Sequence, residues 1–160
     1  MAKKKQKQRK NRNLDDVIKD IRRSWEPIQR DEAFGNNSCW NFIVVYPDLS
    51  VGSHTEGCHM IGENEYFARE GHEVTVYEHE NGGEGIDIDP DDYVKFAAEN
   101  GIETDHQYWS PEERARFEDW YWDLIKDDYL NNGWEFYLEE LMQNSELLEL
   151  VKESAQADSV

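Results

Sequence analysis

Between Ser110 and Val151, aromatic and acidic residues alternate so closely that one stretch must supply both a core face and a strongly negative outer face. At helical spacing Phe117, Trp120, Tyr121, Leu124 and Ile125 recur at i, i+3, i+4, i+7 and i+8, forming one apolar stripe. Asp119, Asp123, Lys126 and Asp127 fall on the other side. Ser110 suits an N-cap, Pro111 the first helical position, and Glu113 completes a capping box, so the spacing predicts a helix over 111–129. Asn131, Asn132 and Gly133 tolerate positive φ and predict a turn. A second helix then turns Trp134, Tyr137, Leu138, Leu141 and Met142 inward and Glu135, Glu139 and Glu140 outward, giving an antiparallel pair. Asn144 and Ser145 cap a third, carrying Leu147, Leu148 and Val151, before a polar end (154–160) too poor in apolar residues to order.

Earlier in the chain, Asn13 caps a helix with Leu14, Val17, Ile18, Ile21 and Trp25 on one face, which Pro27 limits. Gly35 to Ser38 read as a turn, and Trp40 to Tyr46, rich in branched and aromatic residues, as a buried strand ended by Pro47 and Asp48. Residues 49–62, with three glycines, read as a loop; 63–70 as a short helix; and 73–79 as a strand with Val74 and Val76 on one face and Thr75 and Tyr77 on the other. Asn81, Gly82 and Gly83 predict a hairpin into Ile86 and Ile88. Asp89, Pro90, Asn100 and Gly101 bracket a further helix. The sum is an α+β domain over 14–153: a small antiparallel sheet flanked by an N-terminal helix and a C-terminal pair or trio of acidic amphipathic helices.

Charge narrows the function. The net charge is −19, but seven of the 17 basic residues lie in 3–12, so the balance from Leu14 onward is 10 minus 36, or −26. Residues 1–13 lack apolar content and read as a disordered basic tail. A body so acidic repels nucleic acid and anionic membranes and favours a basic partner or a cation. Two cysteines, no apolar leader and no 18-residue apolar run point to a cytoplasmic protein with reduced thiols and no membrane span.

Three constellations could carry chemistry. Cys39, His54, Cys58 and His59 are the ligand types of a tetrahedral zinc site, without the usual paired spacing. Asn37, Ser38, Cys39 and Trp40 resemble the sequence around a papain-type nucleophile. Gly71 and His72, followed by a strand and then Asp87 or Asp89, resemble the order of base and orienter in papain-like and transglutaminase-like folds. That resemblance implies a small cysteine hydrolase with His72 as base. Asp87, Asp89, Asp91 and Asp92 supply oxygens for a hard cation, but they lack an EF-hand's glycine and terminal glutamate. Strand, turn and helix-cap roles account for these residues more simply, so the sequence predicts a non-enzyme without a cofactor or metal.

In composition the chain looks like the small acidic, aromatic-rich proteins of viruses and mobile elements that inhibit restriction or CRISPR nucleases. Carboxylates spaced along helices imitate rows of phosphates and steer basic clefts toward them. The expectation is therefore a nucleic-acid mimic that docks on a basic nucleic-acid-binding protein through Glu118, Asp119, Asp123, Asp127, Asp128, Glu135, Glu139 and Glu140, with Trp122 as anchor. RNA or ribosome binding through residues 3–12 and a homodimer are the remaining partner readings.

Overall fold

The computed structural model describes residues 12–35, 39–57 and 73–158. Its elements are α1 (Leu14–Phe34), β1 (Cys39–Val45), β2 (Val51–Gly57), β3 (Val74–Asn81), α2 (Pro90–Asn100), a 3-10 turn (His106–Tyr108), α3 (Pro111–Met142) and α4 (Ser145–Asp158). The strands form one antiparallel sheet in the order β2-β1-β3, so the chain is α+β. Residues 1–11, 36–38 and 159–160, Cys58, His59, the helix expected at 63–70 and His72 lie outside the described residues.

α1 opens as its sequence predicts, with a reciprocal capping box between Asn13 and Asp16. It does not stop at Pro27, which sits inside the helix. An interior proline costs about 3 kcal/mol, and burial on both sides of it offsets that cost. Val17, Ile21 and Trp25 are buried before it, and Ile28 and Ala33 after it, against the sheet and α3. Gly35, at φ 63, ends the helix.

Residues 49–62 do not form a continuous loop, because β2 pairs along β1 from Val51 opposite Val45 to Gly57 opposite Cys39. Its sequence, VGSHTEG, carries little strand signal of its own; register with the apolar β1 sets its conformation. The hairpin turn places Leu49 at φ 66, which is strained for leucine. Full burial of that side chain offsets the strain, and Arg12 donates to the Leu49 carbonyl at 3.0 Å.

On the other edge, the β1–β3 register slips between Ile43 and Val44, so Tyr77 and Thr75 have partners and Val76 has none. This bulge frees the Val76 carbonyl, which accepts a 2.6 Å hydrogen bond from the buried Tyr137 hydroxyl on α3. The glycines after Asn81 do not turn a hairpin. They let the chain cross the end of α1, where a Cβ on Gly35 would lie 2.5 Å from the Gly83 carbonyl oxygen and Ile86 N donates to the Ala33 carbonyl at 2.7 Å. α2 is bracketed by Asp89 and Gly101 as its sequence predicts.

α3 is the main departure, running unbroken through Asn131, Asn132 and Gly133 as one 32-residue helix where the sequence predicts an antiparallel pair. Gly133 is there because Trp25 of α1 presses on it: a Cβ would lie 3.3 Å from that ring. The residues turned inward, Phe117, Tyr121, Ile125, Tyr129, Gly133, Tyr137 and Leu141, are spaced by four. A four-residue step overshoots the 3.6-residue turn, so this row drifts about 40° per step and winds about 240° around the helix. Phe117 and Tyr121 therefore face an aromatic cluster with Phe96 and Trp109, whereas Tyr137 and Leu141 face α1 and the sheet. The same drift exposes Leu124 and Met142, which a fixed stripe would bury, and buries Trp122.

In α4, Asn144 caps the first turn, accepting from Leu147 N at 3.0 Å. Leu147 and Leu150 are buried while Leu148 lies exposed, and the helix continues to Asp158, into the stretch that composition assigns to a loose end.

Candidate functional site

Directly opposite the winding core row, Asp119, Asp123, Asp127, Asn131, Glu135 and Glu139 follow the same four-residue step, and all six are exposed. They form a ridge that winds with the helix and advances about 6 Å along its axis for each four-residue step. Asp128 and Glu140, also exposed, lie one position round from it, on the row that carries Leu124 and Phe136. Of the eight carboxylates singled out from the sequence, α3 gathers seven on these two rows. Glu118 stands apart, half-buried on the row of Trp122, where its charge is among those that raise the Tyr93 phenol above its ordinary value, after desolvation.

Trp122 is not an exposed anchor. It is 8% exposed and packs edge-on against Phe34 and Tyr129, at 6.3 and 5.7 Å between ring centroids. The large apolar side chains on the acidic side are Phe136, 79% exposed, and Leu124, 60% exposed. A four-residue count sets Leu124 apart from the core row, whereas a fixed stripe about 100° wide over half the helix places it inward.

The first half of the ridge is partly neutralised. Asp119 pairs with Arg30 of α1, and Asp123 with Lys126 at 3.2 Å. Between α1 and α3 lies a groove of about 480 Å³ whose lining includes Pro27, Trp122 and Leu130 together with Arg22, Arg23, Arg30 and Lys126. It adjoins a second hollow of about 400 Å³ that shares Arg22 and Arg23 and includes Lys19 and Trp134. Arg22 is held in place between the two: its guanidinium lies 5.6 Å from the Trp25 ring and 5.1 Å from the Trp134 ring, and its Nε donates to Glu26 at 3.0 Å.

A polar network that the sequence does not announce ties the end of α1 to the sheet. The Glu32 carboxylate, 10% exposed, accepts from Asn41 Nδ2 at 2.9 Å and from the Tyr77 hydroxyl at 3.1 Å, and lies 3.2 Å from His79 Nδ1. Gln29 Nε2 donates to the Tyr77 hydroxyl at 3.0 Å. Burial first, then the neighbouring Glu32 charge, pushes the Tyr77 phenol well above its ordinary value. Such a network fixes the register of helix on sheet, because a buried carboxylate is tolerated only where its hydrogen bonds are met.

The alternative chemistries are not assembled by the described residues. Cys39 opens a strand, whereas a papain-type nucleophile opens a helix. His54 sits on β2, its Nε2 3.2 Å from the Tyr46 hydroxyl, and the Asp89 carboxylate accepts from the Asp91 backbone N–H in the cap of α2. Among the described residues no group of three or more His, Cys, Asp or Glu is placed to hold a metal, and no helix is long and apolar enough to cross a membrane. Compared with protein-family models, curated proteins and solved structures, the chain matches none.

Proposed function

We propose that this chain is a non-enzymatic acidic inhibitor that docks its α3 ridge into the basic cleft of a nucleic-acid-binding protein, in the manner of antirestriction or anti-CRISPR proteins. The observation that carries the reading is the four-residue carboxylate row set opposite the core row, since burial explains none of its members. Its spacing argues for steering rather than a phosphate-by-phosphate copy. The ridge steps about 6 Å per position and skips a charge at Asn131, whereas one DNA strand advances about 3.4 Å per phosphate. Asp127, Glu135 and Glu139 supply the field for long-range attraction, and Phe136 replaces Trp122 as the apolar anchor. The site of action on this reading is the host cytoplasm.

The test is competitive capture. The immobilised chain should retain a nucleic-acid-binding protein from host extract, and duplex DNA should displace it. The D127N/E135Q/E139Q triple variant should retain at least about tenfold less, since three lost charge contacts at an interface each contribute on the order of 1 kcal/mol. Retention by the variant at the wild-type level, or a captured protein that DNA cannot displace, would sink the reading.

A further inference from the structure

The groove between α1 and α3 runs against the charge of the molecule. Five of the ten Lys and Arg after residue 13 (Lys19, Arg22, Arg23, Arg30 and Lys126) line it and its adjoining hollow, against two carboxylates, Glu26 and Asp127. The lining residues alone are thus net +3 on a body whose balance is −26, while Asp20, Asp119 and Asp123, outside the lining, pair with three of the cations. We propose that this groove binds a small organic phosphate, its phosphate held by Arg23, Arg30 and Lys126 and its apolar or planar part lying on Pro27, Leu130 and the edge of Trp122.

Three features of the groove favour that class of ligand. Its volume of about 480 Å³ falls in the usual range for small-molecule sites, which combine an apolar floor with a few convergent polar groups. Arg22, oriented by two tryptophan rings and Glu26, adds a fixed cation to the wall beside the phosphate. The existing partners of the other cations, Asp20, Asp119 and Asp123, are not among the lining residues, and their pairs are solvent-exposed ones of the weak kind. A phosphate, accepting charge-assisted bonds from several donors at once, competes well with such pairs.

The surroundings argue for a compact ligand over a polymer. At physiological salt, charges beyond about 8 Å are largely screened, so a single phosphate responds to the groove's cations and the carboxylates paired with them, not to the charge of the whole body. A nucleic-acid strand long enough to leave the groove runs onto the Asp127 to Glu139 ridge and is repelled.

The full chain is titrated with adenosine monophosphate and with phenyl phosphate, following tryptophan fluorescence and amide chemical shifts. Adenosine, phenol, inorganic phosphate and a short DNA duplex serve as controls. Both organic phosphates should saturate below about 10 mM, with shifts centred on Arg23, Trp122 and Lys126, and should bind at least about tenfold more tightly than each control. Arg23→Gln with Lys126→Gln, the first at an exposed and the second at a half-buried position, should weaken binding by about tenfold, and Arg23→Lys with Lys126→Arg should keep it within about threefold. The proposal is overturned if neither phosphate saturates, if adenosine and phenol bind as well as their phosphates, if the glutamine variant binds like wild type, or if the duplex binds more tightly than either.

Discussion

The two ends of α3 rest on cores built by different means. Its first half packs in an aromatic cluster drawn from residues 93–121, where Tyr93 stacks on Phe117 at 4.7 Å and on His106 at 3.9 Å, and Phe117 stacks on Tyr121 at 5.6 Å. Its second half packs in a core drawn from residues 17 to 150, centred on Trp25, which meets Trp134 at 5.3 Å and Tyr137 at 6.0 Å. The first cluster is local in sequence and its elements are delimited by local signals. The second joins residues about a hundred positions apart, and there distant contacts override those signals.

The sharpest way to break the comparison is Trp25→Ala, which should cost about 3–5 kcal/mol, as expected for removing a buried tryptophan. Because Trp25 braces α1, α3 and, through Tyr137, the sheet, the loss should appear in every probe of unfolding. Phe117→Ala should cost a similar amount in equilibrium unfolding but open α2 and the start of α3 first in hydrogen exchange, leaving β1 amides protected. If Phe117→Ala deprotects β1 as fast as α2, the two clusters are one cooperative unit and the distinction fails.

Gly133→Val tests the long-range origin of the unbroken helix. A Cβ there already sits tight against Trp25, so the further methyls of valine should crowd the ring and cost about 2–3 kcal/mol by thermal melting. Gly133→Ala should change stability by less than about 0.5 kcal/mol, because the gain in helix propensity is offset by the tight contact. A full gain of about 1 kcal/mol from alanine would mean that Trp25 does not dictate this position.

A smaller effect is expected at the bulge. Tyr137→Phe removes the donor to the Val76 carbonyl and should cost about 1–2 kcal/mol. Burial is the main cause that raises the Tyr137 phenol above its ordinary value near 10, with the charges of Tyr77 and Glu140 adding to it. The fold therefore favours the neutral phenol. Its contribution is complete below about pH 10, and it is lost as pH rises from there through the folded value, because the unfolded chain ionises first. Melting temperatures of wild type should fall more steeply than those of Tyr137→Phe between about pH 9 and 11; parallel curves would remove Tyr137 from the account.

These contrasts also say what the sequence makes legible. The capping boxes at Asn13 and Ser110, the bracketing of α2 by Asp89, Pro90 and Gly101, and the strands at 39–45 and 74–81 follow from neighbours in the chain, so reading the chain finds them. Pro27 and Gly133 read as breakers because their justification is Trp25 and its surroundings, which linear spacing does not display. β2 is missed because pairing with β1, not its own residues, makes it a strand. In the candidate site, the carboxylates are visible as residues off any apolar stripe. The exchange of Trp122 for Phe136 and Leu124 follows from the winding of the core row, which emerges only when the helix is recognised as continuous. The α1–α3 groove needs two helices brought together and has no sequence signature.

The central claim is that the ridge, and not general acidity, recruits the partner. The most direct measurement is the association rate of the captured nucleic-acid-binding protein as salt is raised, for wild type and for D127N/E135Q/E139Q. As a control, the same number of carboxylates is neutralised away from the ridge at Asp15, Glu99 and Glu153. The account predicts that wild type and control share a steep salt dependence, while the ridge variant associates more slowly and with a flatter slope, with dissociation rates changed less. Equal slowing by the control variant, or an unchanged slope in the ridge variant, would contradict it.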